Sequence, residues 1–131
     1  GLKKNKNEVY YEKINSRDIE INILLEELNK YLCIHIENQI ESGADVVQIF
    51  DSWAGLLPLE KLSKYCFVPN LRIIEFCKSK KIPTICFPKG IGKNYIKFNN
   101  IVKPDGINLD DEIDPSWAKK KFDECHPAGG A

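Results

Sequence analysis

Apolar residues recur at spacings of three and four from Ile21 through Leu24, Leu25, Leu28, Leu32 and Ile36 to Ile40, the period of one face of a long helix beginning near Asp18. Asn15 or Ser16 is placed to cap its start, and Gly43 suits the position just past its end. The pattern then changes. Ala44-Asp45-Val46-Val47-Gln48-Ile49-Phe50 is a run of β-formers with few polar interruptions, which predicts a parallel strand buried on both faces. Pro58 opens a short helical turn, and Pro69 is placed at the first position of a helix that runs to about Lys80. Leu71, Ile73, Ile74, Phe76 and Cys77 supply the buried side of that helix. A second strand is predicted over Ile82 to Phe87, a helix over Asn94 to Val102, and a third strand over Gly106 to Leu109. Asp114 and Pro115 have the chemistry of a final helix start, as N-cap and first-turn residue.

Strands alternating with helices specify an α/β fold with parallel strands, here three of them with flanking helices. Each strand ends in a polar or glycine-rich loop: Phe50-Asp51-Ser52-Trp53-Ala54-Gly55, Phe87-Pro88-Lys89-Gly90-Ile91-Gly92 and Leu109-Asp110-Asp111. The carboxyl ends of parallel strands collect on one side of a sheet, so these loops are expected at one edge. Residues 1–17 read as a polar leader, 18–122 as one domain and 123–131 as a loose tail. At 131 residues, one core is the expectation. Gly1 in place of an initiator methionine reads as an expression scar or a chain that begins inside a longer reading frame.

Composition narrows the function classes. Nineteen basic and nineteen acidic residues leave no global field to attract nucleic acid or an anionic membrane surface. No apolar run approaches the ~20 residues that span a bilayer, so a cytoplasmic protein is the default. Cys33, Cys66, Cys77, Cys86 and Cys125 are odd in number and widely spaced, which reads as reduced thiols serving as small hydrophobes. Cys125 and His126 lack a second pair to complete a zinc site, and His35 beside the helical stripe reads as a structural or surface residue.

Asp51 and Ser52 are the leading site candidates, because a carboxylate and a hydroxyl at a strand's end can both hydrogen-bond a polar ligand. A turn that merely caps strand and helix accounts for them almost as well. Ser52 lacks the G-x-S-x-G context of a hydrolase nucleophile. Pro88-Lys89-Gly90-Ile91-Gly92-Lys93 offers lysines and backbone N–H groups to an anion, but without P-loop spacing it reads more simply as a connecting loop. The acidic group Asp110, Asp111, Glu112 and Asp114 suits a hard cation or, more commonly, a solvated segment that caps the next helix.

The words Gln39-Ile40-Glu41-Ser42-Gly43-Ala44-Asp45 and Val47-Gln48-Ile49-Phe50-Asp51-Ser52-Trp53-Ala54-Gly55 resemble the uroporphyrinogen decarboxylase family closely. Phe87, Lys89 and Gly90, and Leu109-Asp110 followed by Asp114-Pro115, give further support. The resemblance covers roughly residues 18 to 121. It implies a (β/α)₈ TIM barrel that converts uroporphyrinogen III to coproporphyrinogen III by removing acetate carboxyl groups as carbon dioxide, with no metal or organic cofactor. It implies substrate contact by Ser52 and a pocket-lining Phe50, with Asp51 between them, while the family's arginine, aspartate, tyrosine and histidine words have no counterpart here. A complete barrel needs about 250 residues. The chain therefore reads as part of a barrel, inactive alone, with porphyrinogen the substrate of a longer parent. Free sheet edges and an open inner face, with Ile49, Ile85, Phe87 and Leu109 the candidates for exposure, make a homodimer the expected remedy. The alternative is a non-catalytic βα module that binds a small anion or a protein partner. Related corrinoid methyltransferases are disfavoured, since zinc-ligating histidine and cysteine would be expected in place of F-D-S-W-A-G.

Overall fold

A computed structural model of the chain describes Glu12 and residues 16–125, the side chain of Cys125 excepted. The proposed cap Asn15, most of the leader, and the tail from His126 onward lie outside the described residues. The element order is α1 (Asp18–Glu41), β1 (Val47–Asp51), two 3₁₀ turns (Ala54–Leu56 and Leu59–Lys61), a π-helical turn (Ser63–Phe67), α2 (Val68–Ser79), β2 (Thr84–Pro88), α3 (Asn94–Val102), β3 (Gly106–Ile107) and α4 (Pro115–Cys125). β2 is the central strand, paired in parallel with β1 and with β3. This is the α/β arrangement the alternation predicts, as an open three-stranded sheet.

Local chemistry explains most boundaries. Gly43 ends α1 with φ of 107°, a conformation that a residue with Cβ seldom adopts. Asp114 caps α4, its Oδ1 accepting the Ser116 N–H at 3.2 Å. Two starts differ from expectation. The residue before α1 is Arg17, which makes no side-chain capping bond. Instead the Asp18 carboxylate accepts from Lys61 Nζ at 3.0 Å, from Lys64 Nζ and from the Tyr65 hydroxyl, pinning the start of α1 to the second 3₁₀ turn and the π-helical turn. Those three donors hold the Asp18 carboxyl well below the usual carboxylate range, and burial together with Asp18 pushes the Tyr65 phenol up to about 12.

Pro69 stands in the first turn of α2, one residue after Val68, close to the expected first position, but α2 continues a helical path that is already under way. The helical path is already under way at Leu62, and a proline within it would remove a bond and crowd the carbonyl four residues back. Widening to a π-turn accommodates it: the Val68 N–H donates to the Ser63 carbonyl, five residues back. The Cys66 carbonyl accepts from Asn70 Nδ2 at 2.8 Å.

The helices cover only one face of the sheet. Val47 and Ile49 of β1 pack among Ile36 of α1 and Ile73 and Cys77 of α2. Cys86 of β2 joins Phe67, Ile74, Tyr95, Phe98 and Val102 in the larger cluster, with Ile107 and Leu109 against it. The opposite face is open, and Phe50 is 64% exposed there. β1 is thus not buried on both faces as its composition predicts, because no described element lies over that side. Strand register also corrects the exposure list: Ile49 and Leu109 turn toward the helices, while Phe50 takes the open side. Along α1 the apolar stripe is covered at Ile36 but exposed at Leu24, Leu28 and Leu32. Cys66, Cys77 and Cys86 are buried free thiols, and Cys33 is half-buried. Among the described residues, no helix is long and apolar enough to cross a membrane.

Candidate functional site

The three loops after the strands are stitched into one rim. The Lys89 N–H donates to the Asp51 carbonyl at 3.1 Å, and the Gly55 N–H donates to the Lys89 carbonyl at 2.9 Å, joining the β1 and β2 loops. The Gly90 N–H donates to Asp110 Oδ2 at 2.8 Å, joining the β2 loop to the segment after β3. Asp51, Lys89, Gly90 and Asp110 therefore gather at one sheet edge, as parallel strands require.

Between the first two loops lies an open cavity of about 240 Å³ lined by Ser52, Trp53, Gly55, Leu56, Lys89 and Gly90. Below it on the open face, Phe50 and Phe87 are register partners whose rings meet edge to face with centroids 6.3 Å apart. A serine and a lysine thus share the rim cavity, and an aromatic pair stands on the open face of the two strands that lead into it. Gly55 and Gly90 make the close approach of the two loops possible: a Cβ on Gly55 would stand 2.6 Å from the Gly90 carbonyl oxygen.

Strand alternation separates the candidates. Ser52 lines the cavity, and Phe50 lies on the open face beneath it. Asp51 turns the other way, toward the helices, where its Oδ2 accepts from Asn70 Nδ2 at 3.1 Å. Burial raises the Asp51 carboxyl above its ordinary value, against the opposing hydrogen bonds from Asn70 and Cys66. Its carboxylate supports the loop from behind. Of the acidic group, Asp110 alone is tied into the rim. Its Oδ2 also accepts from the hydroxyl of Tyr95, a fully buried residue, at 2.8 Å, and its Oδ1 accepts from the Glu112 N–H at 3.1 Å. Burial opposes ionisation of Asp110, but those donors and the nearby Lys89 charge outweigh it and hold the carboxyl below its ordinary value. Among the described residues, no group of three or more His, Cys, Asp or Glu side chains is placed to hold a metal ion.

Sequence reasoning missed Asn70 and Tyr95. A signal existed for each: Asn70 interrupts an apolar helix face directly after Pro69, and Tyr95 puts a hydroxyl on the otherwise apolar stripe Tyr95, Phe98 and Val102.

A family model described as uroporphyrinogen decarboxylase (URO-D) matches residues 3–129. Several proteins described as uroporphyrinogen decarboxylase are similar to the chain. That of Orientia tsutsugamushi (strain Ikeda) is 48% identical over 85 residues, covering 63% of this chain and 25% of that protein. That of Jannaschia sp. (strain CCS1) is 42% identical over 90 residues, 67% of this chain and 26% of that protein. That of Rickettsia akari (strain Hartford) is 36% identical over 125 residues, 94% of this chain and 36% of that protein. The chain thus spans about a quarter to a third of the length of these relatives.

Proposed function

Because the chain belongs to the uroporphyrinogen decarboxylase family, we propose that it is one sector of a (β/α)₈ decarboxylase barrel and supplies part of the porphyrinogen pocket. The observation that carries this reading is the placement of Ser52 at the rim above Phe50 and Phe87, on the face that would look into a closed barrel. Ser52 hydrogen-bonds a substituent of the macrocycle, the two phenylalanines pack against its apolar ring, and Asp51 holds the Ser52 loop from the helix side. Decarboxylation of an acetate on a pyrrole requires protonation of a ring carbon and stabilisation of the charge that develops, which takes several preorganised groups. Ser52 alone does not provide them. The 131-residue chain is expected to bind uroporphyrin, the air-stable oxidised relative of the substrate, and to release no carbon dioxide from uroporphyrinogen. Titration followed by the porphyrin's absorption band tests this. Ser52→Ala should weaken binding about tenfold, the scale of one lost hydrogen bond to a charged group. Equal affinity in wild type and Ser52→Ala, with unchanged circular dichroism, removes Ser52 from the pocket.

A second reading, a βα module that associates with a protein partner, draws on the exposed apolar surface. Leu24, Leu28 and Leu32 of α1 are 57%, 45% and 43% exposed, and β1 lies at the edge of the sheet. Each large apolar side chain left in water forgoes roughly 1.5–3 kcal/mol, so self-association is the expected state at micromolar concentration. Sedimentation equilibrium should return a dimer that Leu24→Lys together with Leu28→Lys converts to a monomer. A wild-type monomer over the whole concentration range would end that expectation.

A further inference from the structure

We propose that Asp110 is a positioning residue for the rim cavity, fixing through the Gly90 amide the Lys89-Gly90 backbone that forms one wall of the space beside Ser52. The connection is continuous and short. The Tyr95 hydroxyl and the Gly90 N–H converge on the same oxygen, Asp110 Oδ2, each at 2.8 Å. Gly90, held there at a φ of 84°, lies with its backbone against Gly55, whose N–H donates to the Lys89 carbonyl at 2.9 Å. Ser52 stands three residues before Gly55 in the same loop. The phenol is anchored in turn, because Tyr95 sits on the buried stripe of α3 beside Phe98.

The direction of control follows from rigidity. α3 is packed into the core, whereas the Gly90 loop is exposed and contains two glycines with positive φ, so it has little intrinsic preference for one shape. A charge-assisted acceptor shared between a core phenol and a loop amide transfers the order of the core to the loop. The carboxylate does not itself line the cavity beside Ser52, which is why it acts through Gly90.

The proposal rests on the Ser52 cavity being the porphyrin site only for its functional consequence; its structural part is tested separately. Amide spectra of the ¹⁵N-labelled 131-residue chain, uroporphyrin titrations and thermal midpoints are measured for wild type, Asp110→Asn, Asp110→Ala and Tyr95→Phe. Asparagine keeps one oxygen acceptor of similar size but turns a donor toward the Glu112 N–H, so it should rescue partially. The expected result is a graded displacement of the Gly90, Gly55 and Ser52 amide resonances, largest in Asp110→Ala and smallest in Tyr95→Phe, with uroporphyrin affinity falling about tenfold in Asp110→Ala. Should Asp110→Ala fail to fold, Asp110→Asn against Tyr95→Phe decides. If both lower the midpoint alike and leave the Gly55 and Ser52 resonances in place, Asp110 is a structural tie only and the proposal is overturned. Displaced resonances in a chain that binds no uroporphyrin would uphold the positioning role and remove the porphyrin reading instead. Displaced resonances with affinity unchanged would overturn the functional consequence alone.

Discussion

Replacing Phe98 by alanine is expected to cost about 3–5 kcal/mol, a large part of the roughly 5–15 kcal/mol available to a whole domain. Phe98 is fully buried at the centre of the larger core cluster, and its ring stands edge to face on Phe67 with centroids 5.7 Å apart and planes at 78°. That pair joins α3 to the π-helical turn, so truncation removes an aromatic contact as well as apolar area and leaves a space that neighbouring backbone can close only in part. Cys66, Ile74 and Val102 line the same cluster. Urea unfolding followed by circular dichroism measures the loss, with Ile101→Ala as the comparison, since Ile101 on the same helix is 39% exposed. The two variants should differ by more than 2 kcal/mol, on the scale that separates core truncation from surface change. Similar midpoints for both would mean that the cluster around Phe98 is not the core that holds the chain together. Because Tyr95 lies on the same helix, Phe98→Ala should also loosen the Tyr95 to Asp110 bond before global unfolding.

Gly55→Ala is expected to destabilise the chain by about 1–3 kcal/mol, the usual cost of forcing an extra carbon into a filled space. The space here is bounded by backbone: the added Cβ would lie 2.6 Å from the Gly90 carbonyl oxygen, 2.7 Å from its carbon and 2.8 Å from its Cα. No rotamer change relieves such a contact. The loops must separate, and the Gly55 N–H to Lys89 carbonyl bond at 2.9 Å is then lost with them. Gly43→Ala is the informative contrast, because a Cβ there meets nothing within 4 Å and the strain is that of its φ alone. The prediction is that both variants lose stability but only Gly55→Ala also loses uroporphyrin binding. An alanine at position 55 with a wild-type thermal midpoint and wild-type affinity would show that the two loops are not in contact in solution.

Sequence alone determined what depends on near neighbours in the chain. The helix expected over Asn94 to Val102 has the boundaries observed, Gly43 ended α1, and Asp114 capped α4, because helix limits and capping are local properties. The parallel sheet and the gathering of loop ends followed from alternation of strands and helices, and F-D-S-W-A-G carried the family. Where the sequence reading failed, the deciding contact was distant in sequence. An apolar run such as Val46 to Phe50 reports that a strand can be buried, not that anything covers its second face, and only the tertiary arrangement left Phe50 exposed while turning Ile49 inward. Asp51 and Ser52 are adjacent in the chain but lie on opposite sides of β1, one bound to Asn70 and the other open to the cavity. The rim itself joins Gly55, Gly90 and Asp110 across more than fifty residues of chain, and the Asp110 oxygen that accepts from Gly90 also accepts from the buried Tyr95 hydroxyl, a convergence that spacing along the chain does not specify.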